Sequence, residues 1–276
     1  MKPALLLAAA LLPLSAAAAA PLETFNNRLF VPVTVNGHST TALLDSAAEM
    51  TILDDDFAAR LGLAQTGSAT AHGSGAATMQ ARFAEHVLIH SSGVSIEARV
   101  GILDLGDVSR RIVGRNVDML LGRDLFDRAR LRIDPAAGTI EIAEGRPRGV
   151  RLPLGEHRGI PTVPASIEGH PPVATVFDTG NGSDLLIGRA YAQRLGLAGP
   201  DRIVDRRSGG GLGGAQGFDI VRLRTLTIAG RTFRDVRAAI DSGETASDLN
   251  IGMSILRHFL ITADFPRRAI WLEPRE

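Results

Sequence analysis

This chain is written twice. Residues 31–45, VPVTVNGHSTTALLD, return as residues 163–178, VPASIEGHPPVATVFD, with Gly37-His38 falling on Gly169-His170. Each copy then runs from an aspartate through a hydroxyl residue, ALLDSAAEMTIL at 42–53 and ATVFDTGNGSDLL at 174–186, and closes a helical stretch on Leu-Gly-Leu at 61–63 and 195–197. Asp45 and Asp178 stand 133 positions apart. Farther on, LLGRDLFDRARLRIDPAAGTIEI at 120–142 matches NIGMSILRHFLITADFPRRAIWL at 250–272, pairing Gly122 with Gly252 and Asp134 with Asp264. A shared order of elements over this span is the mark of a duplicated unit. The copies run from about 25 to 146 and from 150 to 276, joined near GRPRGVRLPLG.

Local signals within each copy are mostly β. FVPVTV alternates as a strand, Asn36-Gly37 is a tight hairpin turn and TTALLD is the returning strand. RFAEHVLIH, VSIEARVGIL, RLRTLTIAG and FRDVRAAID read as further strands, and RLRIDPAAGTIEI as a hairpin turning at Pro135 to Gly138. DDDFAARLGL is a short helix, with acids in its first turn, where the helix dipole favours them, and a glycine stop. A unit of this size and composition closes into a sandwich or barrel.

The ends and the charge narrow the setting. MKPALLLAAALLPLSAAAAA, residues 1–20, has one lysine, an apolar stretch and an alanine-rich end, which is the layout of a secretory signal peptide cut before Ala19 or Ala20. Pro13 and Ser15 interrupt the run and leave it short for a membrane anchor, so no span is expected after cleavage. A periplasmic or secreted chain follows. There is no cysteine to carry a lipid or a disulfide. Lys and Arg together balance Asp and Glu, Lys2 is the only lysine, and the arginines cluster no further than pairs such as Arg110-Arg111 and Arg267-Arg268. Without a basic stripe, nucleic acid is not an expected partner.

The order of strand, acid-hydroxyl turn, helix, hairpin and apolar-apolar-Gly resembles the retropepsin-type aspartic proteases, here as a tandem of two lobes in one chain. VFDTGNGSDLLI with NIGMSIL in the second copy, and LLDSAAEMTIL with LLGRDLF in the first, carry the likeness over nearly all of the mature sequence. The resemblance implies an all-β fold: two similar β-barrel lobes with short helices, related by a pseudo-twofold axis, in a chain that works as a monomer. It implies Asp45 and Asp178 as a catalytic dyad cleaving a peptide or protein substrate without a cofactor or metal. Ser46 and Thr179 match the hydroxyls that cross beneath the dyad, and Ala47 and Gly180 the third turn position. Leu121-Gly122 and Ile251-Gly252 would lie beside the two turns. His72, Gly73, Ser74 and Gly75, with Gly210, Gly211, Leu212 and Gly213, fall where the family places flaps over bound peptide; both segments are expected to be mobile without ligand and shielded by it, the first being the candidate where one flap alone closes.

Two carboxyls sharing one proton explain why two copies are needed, since like charges about 3 Å apart cannot both ionise. Activity is then expected at acidic to mildly acidic pH. The first turn departs from the pattern, with Ala47 in place of glycine. A positive φ there would strain the alanine, and an ionised Glu49 beside the dyad would raise its pKa values. An aspartic endopeptidase and a non-catalytic peptide-binding protein on the same scaffold therefore both remain open. Other motifs have plainer readings. Asp241-Ser242-Gly243 comes too close before Gly252 and reads as a loop, Asp54-Asp55-Asp56 as helix capping, and GGGLGG at 209–214 lacks the lysine of a phosphate loop. His72, His86, His90 and His258 lack zinc-ligand spacing, and there is no Gly-x-Ser-x-Gly nucleophile motif to suggest a serine hydrolase.

Overall fold

The computed structural model of the chain describes residues 19–75, 77–243 and 246–275. Each half forms an eight-stranded sheet, and the two sheets have one topology. In the first, strands run in the order Glu23–Phe25, Arg28–Val35, His38–Leu44, Met119–Leu121, Ile52–Asp54, Val94–Leu103, Thr78–Ser91, Gly67–His72. The second repeats this with Gly155–His157, Ile160–Ile167, Val173–Phe177, Leu249–Ile251, Leu185–Gly188, Arg231–Asp241, Gly214–Ile228 and Ile203–Gly211. Pairing of Thr34 with His90 and Val35 with Ile89 closes the first sheet on itself, and Ser166 with Thr227 and Ile167 with Leu226 closes the second. Each half is thus a small barrel, as the repeat implies.

The turn chemistry shows how differently two copies can reach one shape. Asn36 and Gly37 both take positive φ, 48° and 83°, the conformation Asn-Gly favours in a two-residue hairpin. In the second copy Glu168 and Gly169 adopt nearly the same angles, 54° and 79°. Glutamate has no such preference, and its carboxylate is held there by Thr225 N–H at 3.0 Å and Arg224 Nε at 2.9 Å. The helix expected after Asp54 covers Asp55–Arg60 and stops at Gly62, whose φ is +64°. Asp54 does not cap it with its side chain; Oδ1 accepts Leu105 N–H at 3.0 Å.

A third sheet joins the halves. Its six strands run Ala20–Pro21, Thr139–Ile142, Leu131–Asp134, Phe259–Asp264, Ala269–Pro274 and Val150–Pro153. The middle pair is antiparallel across the symmetry axis, Ile133 opposite Ile261. Asp134 and Asp264, matched in the repeat, do one job: each takes the N–H three residues on, Ala137 and Arg267, at 3.1 Å. Beneath this sheet Phe126 of the first half stacks on Phe265 of the second, with centroids 5.0 Å apart, and one apolar core runs through both halves. Among the described residues no helix is long and apolar enough to cross a membrane.

Candidate active site

Each lobe presents its aspartate at the end of an apolar strand. His38–Leu44 and Val173–Phe177 lie parallel to Met119–Leu121 and Leu249–Ile251, and Asp45 N–H and Asp178 N–H donate to Leu121 O and Ile251 O, both at 3.0 Å. The next residues, Gly122 and Gly252, leave no room for a side chain. A Cβ on Gly122 would come within 2.5 Å of Met50 O, and one on Gly252 would strike Asn181 O. That closeness lets Arg123 N–H and Met253 N–H reach Ala48 O at 3.0 Å and Asn181 O at 2.7 Å. The glycines that the sequence pairs off are therefore there for backbone contact with the two aspartate turns.

Beneath the aspartates the lobes exchange hydroxyls. Ser46 Oγ donates to Phe177 O at 2.8 Å and accepts Thr179 N–H at 3.0 Å, while Thr179 Oγ1 donates to Leu44 O at 2.9 Å and accepts Ser46 N–H at 2.9 Å. Both side chains are fully buried. Every donor and acceptor in the crossing is satisfied, and each by the opposite lobe. The arrangement places Gly180 so near the first turn that a Cβ there would sit 2.5 Å from Cγ of Asp45. The carboxyl of one lobe rests on the turn of the other.

The two carboxyls are held differently. Asp45 Oδ1 accepts Ala47 and Ala48 N–H at 3.0 and 3.1 Å. Asp178 Oδ1 accepts Asn181 N–H at 2.9 Å, and its Oδ2 accepts Asn250 Nδ2 at 2.8 Å. Asn250 is oriented in turn by Asn181 Nδ2, which donates to its Oδ1 at 3.0 Å. The first lobe has Leu120 where the second has Asn250, so Asp45 lacks this side-chain donor. Burial, then the Asp178 carboxylate, push the Asp45 carboxyl up to about 7, against the Ala47 and Ala48 amides and Arg28. Burial also raises Asp178, with Asn250 the strongest opposing influence.

Two expectations about the first turn change. Neither Ala47 nor Gly180 adopts a positive φ, so the alanine carries no left-handed strain. Glu49 does not crowd the dyad: its carboxylate packs against Gly159, where a Cβ would lie 2.6 Å from Oε1.

The profile of the family described as aspartyl protease matches residues 31–125 and 163–255, once in each lobe and over more than half of the chain. The chain belongs to the aspartyl protease family. Among curated relatives, the UBA domain-containing protein Mud1 of Schizosaccharomyces pombe is 32% identical over 140 residues, 51% of this chain and 39% of that protein. The DNA damage-inducible protein 1 of Cryptococcus neoformans is 32% identical over 126 residues, 44% of this chain and 27% of its own length. The chain thus spans well under half the length of either relative. The aspartic proteinase from Irpex lacteus shares the fold across both lobes, covering 95% of this chain and 98% of its own with a TM-score of 0.54 at 15% identity.

Both glycine-rich segments of this family member lie in hairpins, and the two hairpins meet. The first runs through Gly67–His72 and Thr78–Ser91, and the second through Ile203–Gly211 and Gly214–Ile228 with a two-residue turn at Leu212-Gly213. Their tips bond to each other: Gly75 N–H donates to Leu212 O at 2.7 Å and Ala77 N–H to Gly213 O at 2.8 Å. Gly73 packs against Leu212, and Gly211 against the Ser74 hydroxyl, at distances that only glycine allows. Gly210 takes φ +108° beside Gly214 O. His72, at the end of its strand, is exposed. Arg111 of the first lobe then reaches over to donate to Gly209 O at 2.8 Å and Gly211 O at 3.3 Å, steadied by Asp107. Replacing Arg111 by alanine is expected to speed amide exchange at Gly75 and Ala77 by about fivefold to tenfold, since each hydrogen bond contributes about 1 kcal/mol. Unchanged exchange at both amides would show that Arg111 does not hold the tips.

Sequence reasoning missed Asn250, Arg111 and Arg28. Asn250 had a signal, a polar residue in an otherwise apolar strand beside the second glycine.

Proposed function

We propose that the chain is an aspartic endopeptidase in which Asp178 is the base and Asp45 the acid. What carries this reading is the unequal support of two half-buried carboxyls packed into one site: Asn250 favours the charged form of Asp178, while desolvation and the neighbouring charge keep a proton on Asp45. A water lying between them gives a proton to Asp178 as its oxygen attacks the peptide carbonyl carbon, and Asp45 protonates the carbonyl oxygen. The gem-diol then collapses: Asp178 returns its proton to the leaving nitrogen, the C–N bond breaks, and one hydroxyl returns a proton to Asp45. No cofactor takes part. The paired hairpins close over an extended peptide and keep bulk water out.

Residues 1–18 lie outside those described, and their reading as the body of an export signal, with a periplasmic or secreted mature chain acting as a monomer, belongs to this proposal. Ala20 pairs with Ile140 in the joining sheet, which favours a cut that leaves Ala20 on the mature chain.

Incubating the mature chain with a peptide library tests the reading, because a binding protein would retain peptides without cutting them. The pH dependence is distinctive. A pair that gives up its last proton near 7 keeps its rate from mildly acidic pH up to neutrality and loses about tenfold per unit above it. Stability runs the same way. Asp45 titrates at about 4 in the unfolded chain, so between about 4 and 7 the folded form holds a proton that the unfolded one has lost. The fold should thus weaken as pH rises through that window. Asp45→Asn should flatten the slope, and a slope unchanged in this variant would place the shared proton elsewhere.

A further inference from the structure

Arg28 is a buried cation that makes no salt bridge among the described residues. It opens the strand Arg28–Val35, is 8% exposed, and lies with Cγ and Nη1 against Gly182, four residues beyond Asp178. A Cβ on Gly182 would fall 2.7 Å from Nη1 and 2.9 Å from Cγ. The residue thus crosses from the first lobe to the second at one end of the dyad. Of the five guanidinium hydrogens, the hydrogen bond made among the described residues uses one, from Nη1 to Asn26 O at 3.0 Å. The anions whose fields reach it are Asp178 and, less, Asp45. Those carboxyls already accept Ala47, Ala48, Asn181 and Asn250.

The symmetry-related end of the cleft is built the other way. Ile160 stands where Arg28 stands, and Glu49 stands where Gly182 stands. Glu49 lies against Gly159, whose carbonyl takes Arg123 Nη1 at 2.7 Å, with Glu156 3.8 Å from the same nitrogen. One end therefore offers an uncommitted guanidinium and the other mostly carboxylates. Taking a guanidinium out of water is costly unless an anion with hydrogen-bonding oxygens meets it, and a carboxylate matches its planar fork.

We propose that Arg28 forms a carboxylate-binding subsite, so that the cleft prefers peptides carrying Glu or Asp on one side of the bond at the dyad and holds them in a single orientation. This rests on the reading of the cleft as a peptide site, and the test separates the two. Uncleavable hydroxyethylene peptides are made in twin pools, with Glu or Gln at positions on either side of the isostere. Their binding to the mature chain is measured by calorimetry at pH 6 and moderate salt. Glu should bind about tenfold tighter than Gln on one side, an ordinary return for a charge-assisted hydrogen bond, with no such gain on the other. Arg28→Met should bring the ratio near one. Arg28→Lys should keep part of it, because the charge remains while the fork is lost. Equal binding of the twins to the native chain, or a ratio surviving Arg28→Met, overturns the subsite. Cleavage of the matching amide peptides is followed separately. A Glu preference in binding without any cleavage leaves the subsite standing and removes the peptidase, whereas cleavage indifferent to Glu does the reverse.

Discussion

Asp178→Asn and Asp45→Asn should each lower peptide turnover by at least about a thousandfold, because general acid-base steps are commonly worth 10²–10⁴ and each variant removes one half of a proton-sharing pair. The two losses should not multiply, since a dyad lacking one member already cannot run the reaction. Neither substitution should unfold the chain. An amide at either position is close in shape to the acid, and burial already disfavours charge there. Thermal unfolding near neutral pH should be unchanged or slightly raised in Tm. If Asp45→Asn kept a tenth of the native rate with its fold intact, Asp178 would be acting without this partner and the mechanism above would be wrong.

Thr179→Val should produce a large loss of stability. The hydroxyl is fully buried, donates to Leu44 O and accepts from Ser46 N–H, so the nearly isosteric valine strands one acceptor and one donor. At about 1–3 kcal/mol for each unsatisfied buried group, the cost is about 3 kcal/mol, a large part of the 5–15 kcal/mol typical of a domain. Ser46→Ala removes the mirror-image pair and should cost about as much. Because each hydroxyl serves backbone of the other lobe, the double variant should lose less than the sum of the two. Denaturant titration of the four proteins would measure the coupling. Strict additivity would mean that the two crossings act independently, and that the turns are not held as one unit.

What the sequence makes legible is what repeats. The strand entering each aspartate, the Ser46 and Thr179 hydroxyls, the glycines at 122 and 252 and the turns on Asp134 and Asp264 recur in register, because both lobes solve the same local problem. Arg28, Asn250 and Arg111 lack a counterpart in the other copy. Asn250 faces an aspartate 72 positions away, and Arg111 meets carbonyls about 100 positions away. Nothing local in their own strands or helix requires them, so no periodicity reports them. The second hairpin is legible through the family resemblance and not through its own residues. GGGLGG at 209–214 lacks strand propensity, and its strands are fixed by partners such as Gly209 opposite Gln216 and by the other tip.

The sheet shared by the lobes has a consequence for how the protein answers to dilution. Were each lobe a separate molecule, the paired carboxyls would exist only while two copies stayed together, and they would come apart below the dissociation constant. Here a few residues near Gly149 tether the halves, and the opposed strands Leu131–Asp134 and Phe259–Asp264 meet at an effective concentration set by chain length rather than by the amount of protein. Assembly of the site is first order, complete at any abundance. The chain can be scarce and still carry an intact cleft in every copy.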